Sequence, residues 1–252
     1  MTLCLVAGNT NCRLALFEAD RVRARRAAPT ARVLAAPGRF LAGLTAADAA
    51  LASVLPAATR PLARALRELA RLPGRGQARR PPFVLSARSR SGLLVRYDRR
   101  ELGADRLCVA EGARRRWPGD LAVADFGTAV TLNFINADGA FEGGPILPGP
   151  GLMLAALCRH TGRLPLARFR PPAALFPRTT RPALAAGALA AVAGGIEREL
   201  ARVERETGRR WRLVGTGGAA RYFARRIPRL ESVDPDLGLR GLAALHALNR
   251  GG

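Results

Sequence analysis

Apolar residues cluster in short runs that glycine-containing turns interrupt, and this pattern predicts strands. Residues 2–7 and 13–18 predict two strands joined by the turn at residues 8–11. Residues 121–125 and 130–135 repeat the arrangement around a second glycine turn. The repetition predicts an internal duplication, with one strand-turn-strand unit at the start of each half.

Longer stretches between these strands have helical character. Residues 41–71 predict helix, split in two at Pro56 and Pro61 because proline removes a helical hydrogen bond. The remaining predictions are a loop at 72–82, short strands at 83–86 and 93–97, and helices at 104–116, 150–160 and 180–206. The alternation of strands and helices predicts a mixed α/β fold.

The break Trp117-Pro118-Gly119-Asp120 predicts a domain boundary, which divides the chain into residues 1–118 and 119–252. The long helix at 180–206 places four apolar residues on one stripe and carries three glycines. Glycines on a helix face permit close packing. They predict either a subunit interface or a tightly packed core helix.

The net charge of +22 would ordinarily indicate a nucleic-acid partner. All 41 basic residues are Arg, however, and they are scattered along the chain with few aromatic residues near them to stack bases. We therefore expect solvated helix faces and no nucleic-acid partner.

The four cysteines have no CxxC spacing and the two histidines lie far apart, so we expect no zinc site. We read Cys4 and Cys108 as buried residues of a reducing compartment. No apolar run approaches the roughly 20 residues of a membrane span, and no signal-type segment opens the chain. These features predict a cytoplasmic protein without a membrane partner.

The glycine turns indicate phosphate binding. Glycine lets the backbone approach a phosphate closely, and the neighbouring Asn and Thr side chains add neutral donors. The turns at 8–11 and 125–128, one in each half, predict a nucleotide phosphate held from both sides, and glycine-rich segments at 143–149 and 215–218 extend the series.

With these motifs and the segment Gly103-Ala104-Asp105-Arg106, the sequence resembles the type III pantothenate kinases over nearly its whole length. The resemblance implies two similar actin-like (ribonuclease H-like) halves with mixed sheets and flanking helices around a nucleotide cleft. It also implies ATP-dependent phosphorylation of pantothenate, the first step of coenzyme A synthesis. The cofactors implied are ATP, Mg²⁺ and a monovalent cation, K⁺ or NH₄⁺, and the implied assembly is a homodimer.

The resemblance assigns the catalytic base to Asp105 and a monovalent-cation ligand to Asp125. On its own, Asp105 would read as half of an exposed ion pair at a helix start. The pantothenate site implied by the family also includes Tyr97, Gly103, Ala104, Arg106 and, from the partner subunit's copy of the chain, Thr180. Thr180 reads equally well as an ordinary helix-start residue.

The ATP site implied by the family comprises Val6, Ala7, Gly8, Asn9, Thr10, Asn11, Cys12, Arg13 and Thr128. The family places an Asp where this chain has Val6, and that Asp helps to position the phosphates through a hydrated metal ion. Its loss predicts weak ATP affinity and slow turnover unless another group compensates. The alternative to a kinase is a catalytically degenerate paralogue with a binding or regulatory role.

Overall fold

The computed structural model describes residues 1–69, 80–170 and 175–250. The strands are β1 (Thr2–Ala7), β2 (Asn11–Glu18), β3 (Arg21–Pro29), β4 (Asp48–Ser53), β5 (Phe83–Val84), β6 (Leu94–Val95), β7 (Leu121–Phe126), β8 (Ala129–Ile135), β9 (Ala140–Gly143), β10 (Ile146–Pro148), β11 (Arg212–Thr216) and β12 (Leu230–Val233). The helices are α1 (Thr30–Ala35), α2 (Pro37–Leu41), α3 (Pro56–Leu69), α4 (Ala104–Arg116), α5 (Pro150–His160), α6 (Thr180–Thr207), α7 (Ala220–Ala224) and α8 (Leu237–Arg250).

The described residues form two compact units. The first comprises Met1–Pro118, Gly139–Phe141 and the C-terminal segment from Asp236, and the second comprises Gly119–Asp138 and Glu142–Pro235. The chain therefore passes from the first unit to the second after Pro118, and helix α8 belongs to the first.

The first unit is built on a five-stranded sheet with the order β3-β2-β1-β4-β5. Strands β1 and β2 form an antiparallel hairpin, whereas β1 and β4 run parallel. Leu3 and Leu5 on β1 join the hydrophobic cluster that helices α1 to α3 complete. The alternate residue Cys4 is also fully buried, on the face that α4 and α8 cover. The central strand is therefore apolar on both faces, as expected for a covered sheet.

The second unit repeats this topology. Its sheet places β8, β7, β11 and β12 side by side, with β7 and β8 antiparallel and β7 parallel to β11. The series β8-β7-β11-β12 thus corresponds to β2-β1-β4-β5 of the first unit. A buried cluster that includes Phe126, Val192, Ile196 and Phe223 joins this sheet to α6 and α7. The predicted duplication and the α/β fold class are confirmed.

The predicted helix at residues 41–56 is wrong, because residues 48–53 form strand β4. The segment Ala49-Ala50-Leu51-Ala52 is fully or almost fully buried and pairs in parallel with β1. Alanine favours helix locally, but a buried position at the centre of a sheet overrides that preference.

The split of the next helix at Pro61 is also wrong. Helix α3 runs from Pro56 to Leu69 with Pro61 inside it. Ala58, Leu62 and Leu66 bury one face of α3 in the hydrophobic cluster, and this packing offsets the single lost hydrogen bond. Most of the predicted loop at 72–82 lies outside the described residues.

The predicted helices at 104–116, 150–160 and 180–206 are confirmed, and α6 ends one residue later. The stripe on α6 buries Ile196 and Leu200 in the core of the second unit. Within the described ranges, no helix is long and apolar enough to cross a membrane.

Candidate functional site

The turn between β1 and β2 is anchored on its inner side and polar on its outer side. The Gly8 N–H donates to the Asn11 carbonyl oxygen at 3.0 Å. Thr30, at the start of α1, donates through Oγ1 to the Gly8 carbonyl at 2.7 Å and through its N–H to the Thr10 carbonyl at 2.8 Å. Asn9 and Thr10 are exposed. Thr30 could not be predicted from the sequence, because the contact joins residues that are about 20 positions apart.

Two of the residues predicted for ATP binding flank this turn, and their side chains face the hydrophobic core. Ala7 and Cys12 are fully buried and belong to the hydrophobic cluster of the first unit. The Cys12 thiol donates to Thr30 Oγ1 at 3.6 Å, and burial raises the pKa of that thiol. Cys12 is therefore a packing residue and not a nucleophile.

The sheet row that contains Val6 carries no carboxylate. Val6 pairs with Arg13 on β2 and with Ala52 on β4, and Arg13 pairs with Ala27 on β3. Mg²⁺ in proteins prefers carboxylate and water oxygens. Among the residues that the structure describes, there is also no group of three or more His, Cys, Asp or Glu able to hold a metal ion. This row does not fit a resident divalent ion.

Asp105 lies in the first turn of α4, which begins after Gly103. Its Oδ1 accepts a hydrogen bond from the Arg106 backbone N–H at 2.8 Å. A Cβ on Gly103 would stand only 2.5 Å from that oxygen, so glycine leaves the room that the carboxylate occupies. Burial raises the pKa of Asp105, and the Arg106 N–H and guanidinium partly oppose this shift. A carboxylate with a raised pKa is a stronger proton acceptor.

Arg106 is held between two aromatic rings and is only 5% exposed. Its guanidinium carbon lies 5.3 Å from the centre of the Tyr97 ring and 5.6 Å from that of Phe141. The Tyr97 side chain also hydrogen bonds to it. Burial lowers the pKa of Arg106, and Tyr97 and Asp105 counter this effect. Phe141 was not predicted, since nothing in its short apolar strand indicates a partner some 35 residues away.

A cleft of about 290 Å³ opens beside the start of α4. Gly103 and Ala104 line it, together with Ser53 at the end of β4 and Ser86 just beyond β5. Ligands of α/β sheets bind outside the carboxyl ends of parallel strands, and β4 and β5 are parallel. The cleft is close to the lower size limit of small-molecule sites. The predicted residues Tyr97, Asp105 and Arg106 do not line it.

In the second unit, three oxygen-bearing side chains share one face of the sheet. Asp125, near the end of β7, pairs with Thr131 on β8 and with Thr216 on β11. Gly217 adopts φ +92°, and a Cβ there would overlap the Asp125 carboxylate. A carboxylate beside two hydroxyls is a ligand set that suits a hard cation.

The turn after Asp125 is attached to the start of α5. The Gly149 N–H donates to the Thr128 carbonyl at 2.9 Å, and any side chain at Gly149 would overlap the backbone of that turn. Thr128 itself is exposed. The second turn, like the first, carries an exposed threonine on a backbone held by hydrogen bonds.

Thr180 is exposed at the first position of α6, where it lines a groove of about 1090 Å³ in the second unit. The groove lies between α5 and α6, and its other lining residues are mostly apolar, including Leu152, Leu157 and Leu184. Gly187 faces the same groove, and a Cβ at this position would have no neighbouring atom within 4 Å among the described residues.

The duplicated sheet and its glycine turns define an actin-like, ribonuclease H-like kinase fold. An inorganic polyphosphate/ATP-glucomannokinase from Arthrobacter matches 98% of this chain and 98% of its own, with a TM-score of 0.50 and 16% identity. A Campylobacter jejuni protein described as a candidate Baf family transcriptional activator matches 99% of this chain and 100% of its own, with a TM-score of 0.65 and 18% identity. Likenesses at this identity show the fold alone.

The family follows from closer relatives. The family model for type III pantothenate kinase matches residues 2–202. Type III pantothenate kinases from Rhodospirillum centenum and Acidiphilium cryptum are 36% and 34% identical to the chain, over 99% of its length and 99% and 95% of theirs. The chain belongs to the type III pantothenate kinase family, and the resemblance found in its motifs is confirmed.

Proposed function

We propose that the protein phosphorylates pantothenate to 4'-phosphopantothenate with ATP, in the first step of coenzyme A synthesis. The proposal rests on the arrangement of residues at the start of α4, in a chain that belongs to this kinase family. There, a carboxyl group with a raised pKa stands next to a guanidinium held by two rings. The preceding residues Gly103 and Ala104 line a small cleft.

In the proposed reaction, Asp105 accepts the proton of the primary hydroxyl of pantothenate. The hydroxyl oxygen then bonds to the γ-phosphorus of ATP, the bond from that phosphorus to the β–γ bridging oxygen breaks, and ADP leaves. Arg106 binds the pantothenate carboxylate through its forked donors. Tyr97 fixes the guanidinium, while Gly103 and Ala104 form the wall of the cleft.

The glycine turns supply the proposed nucleotide contacts. The turn at residues 8–11 in the first unit donates to phosphate oxygens. Thr128 is the proposed ATP contact of the second unit. Asp125, with Thr131 and Thr216, holds the monovalent cation. The divalent ion enters with the nucleotide as Mg·ATP.

A homodimer is the proposed assembly, with the groove on α6 as its interface. Leu152 and Leu157 are 48% and 40% exposed on the groove, and exposed apolar side chains in a cluster mark association sites. The occupant that this family resemblance implies is a second copy, whose pantothenate site Thr180 would complete.

We expect the parent protein to sediment as a dimer at micromolar concentration and Leu157→Glu to sediment as a monomer, because a charge would be buried in the apolar contact. Leu94→Glu is the matched control, since Leu94 is 62% exposed outside the groove. A monomeric parent, or a dimer that Leu157→Glu leaves intact, would count against this interface.

Release of ADP that depends on pantothenate tests the proposed function. We expect turnover with pantothenate but not with glucose or acetate, and a rate that rises when K⁺ or NH₄⁺ replaces Na⁺. If the protein binds pantothenate or a nucleotide but releases no ADP, the degenerate paralogue is the better description.

A further inference from the structure

We propose that Arg13 binds the ATP phosphates directly, so that a guanidinium takes the place of a metal-positioning carboxylate in this chain. This inference rests on the proposed function, since it names the group that holds the nucleotide of that same site. It starts from the finding that the sheet row containing Val6 has no carboxylate to hold a divalent ion.

The register of the sheet places Arg13 beside Val6. The two residues are directly opposed across the β1–β2 hairpin and therefore point to the same face. The Gly8 turn begins two positions after Val6 and ends two positions before Arg13. The guanidinium thus extends from the strand that leaves the proposed phosphate turn.

Arg13 has no acidic partner among the described residues, in contrast to two arginines of the adjacent strand. On the adjacent strand, Arg23 pairs with Glu18, and Arg25 pairs with Asp236 at 2.6 Å. Arg13 is partly buried, yet within residues 1–69, 80–170 and 175–250 it makes no side-chain hydrogen bond or ion pair. An anion that binds to a partly buried guanidinium without a partner offsets the cost of removing that charge from water.

The chemistry of this row selects phosphate as that anion. A guanidinium offers parallel N–H donors that match two phosphate oxygens, and the turn next to it supplies backbone donors. A carboxylate at position 6 would pair with Arg13 and need a metal ion between itself and the phosphates. With Val6 at this position, the Arg13 guanidinium is free of a competing carboxylate and can bind the nucleotide phosphates without a metal ion.

Direct nucleotide binding tests the assignment, with calorimetry of ATP and of adenosine in EDTA and in excess Mg²⁺. In EDTA, we expect the parent to bind ATP within a few-fold of its Mg²⁺ value. Arg13→Gln should lower ATP affinity about ten- to a hundredfold, as the loss of a charged hydrogen bond implies, while adenosine affinity stays unchanged. The ATP affinity of Arg13→Lys should lie between those of the parent and of Arg13→Gln. Arg32→Gln is the matched control, because Arg32 is exposed on α1.

Val6→Asp gives an independent result, since we expect the new carboxylate to pair with Arg13 and to weaken ATP binding in EDTA. Stronger binding by Val6→Asp in EDTA, or equal ATP affinities for Arg13→Gln and Arg32→Gln, would overturn the assignment. If that happens while the parent still phosphorylates pantothenate, the proposed function stands. A parent that binds no nucleotide overturns both.

Discussion

Replacing Asp105 with Asn lowers kcat by about 10²- to 10⁴-fold in our account, because it removes the proton acceptor at nearly constant volume. The same change should leave the protein at least as stable at neutral pH. Burial raises the pKa of Asp105, so ionisation of this carboxyl opposes folding above its unfolded pKa. The unionised amide of Asn does not have this cost.

The raised pKa of Asp105 should also determine how the kinase rate of the parent depends on pH. Only ionised Asp105 accepts a proton, so kcat/KM falls as pH falls through its pKa. Because that pKa is raised, the acidic limb should lie above the ordinary Asp value of about 3.9.

Asp138→Asn is the matched control for Asp105→Asn, since Asp138 is exposed in the turn between β8 and β9. Its kcat and thermal midpoint should equal those of the parent. If Asp105→Asn retains a rate near that of the parent, the assignment of the base is incorrect. If it unfolds at a clearly lower temperature than Asp138→Asn, Asp105 has a structural role instead.

Gly241→Ala should destabilise the first unit strongly. Helices α4 and α8 cross with Gly241 against the Cys108 carbonyl, and a Cβ at position 241 would overlap that oxygen. The obstacle is backbone within a helix, so it cannot rotate away. We expect a loss of about 3 kcal/mol or more, the upper end for overpacking, and a fall in the thermal midpoint of roughly 6–12 °C.

Gly238→Ala, one turn earlier on α8, provides the comparison for Gly241→Ala. Its Cβ would meet Val109 at 3.5 Å, an ordinary contact. We expect a midpoint close to that of the parent or slightly higher, because alanine favours helix. Equal midpoints for the two variants in thermal unfolding would show that the helices separate at little cost. Since α4 carries Asp105, Gly241→Ala should also lower kcat.

The sequence predicted those parts of the fold that depend on local pattern. The helix at 104–116 shows an apolar core and a break at Trp117 in the sequence itself, and the structure places α4 over those residues. Strand β4 was missed because Ala49 to Ala52 is a good helix sequence whose strand conformation depends on pairing with β1. Such pairing is not visible in a local window.

The candidate site divides in the same way. Motifs identified Asp105, Arg106 and Asp125 as candidates, because their glycine neighbours are close in sequence. Phe141 and Thr30 could not be found, since each meets its partner only after the chain has folded. That Arg13 has no partner among the described residues could likewise be seen only in the structure, because the sequence alone does not show which charges pair.

The product of the reaction tests the central claim most directly. The protein is incubated with pantothenate, ATP, Mg²⁺ and K⁺, and the mixture is examined by phosphorus NMR. The account predicts a phosphomonoester signal on the primary hydroxyl of pantothenate, formed in equal amount with ADP and about a hundredfold or more slowly with Asp105→Asn. No phosphomonoester, from a folded protein that binds pantothenate and ATP, would contradict it.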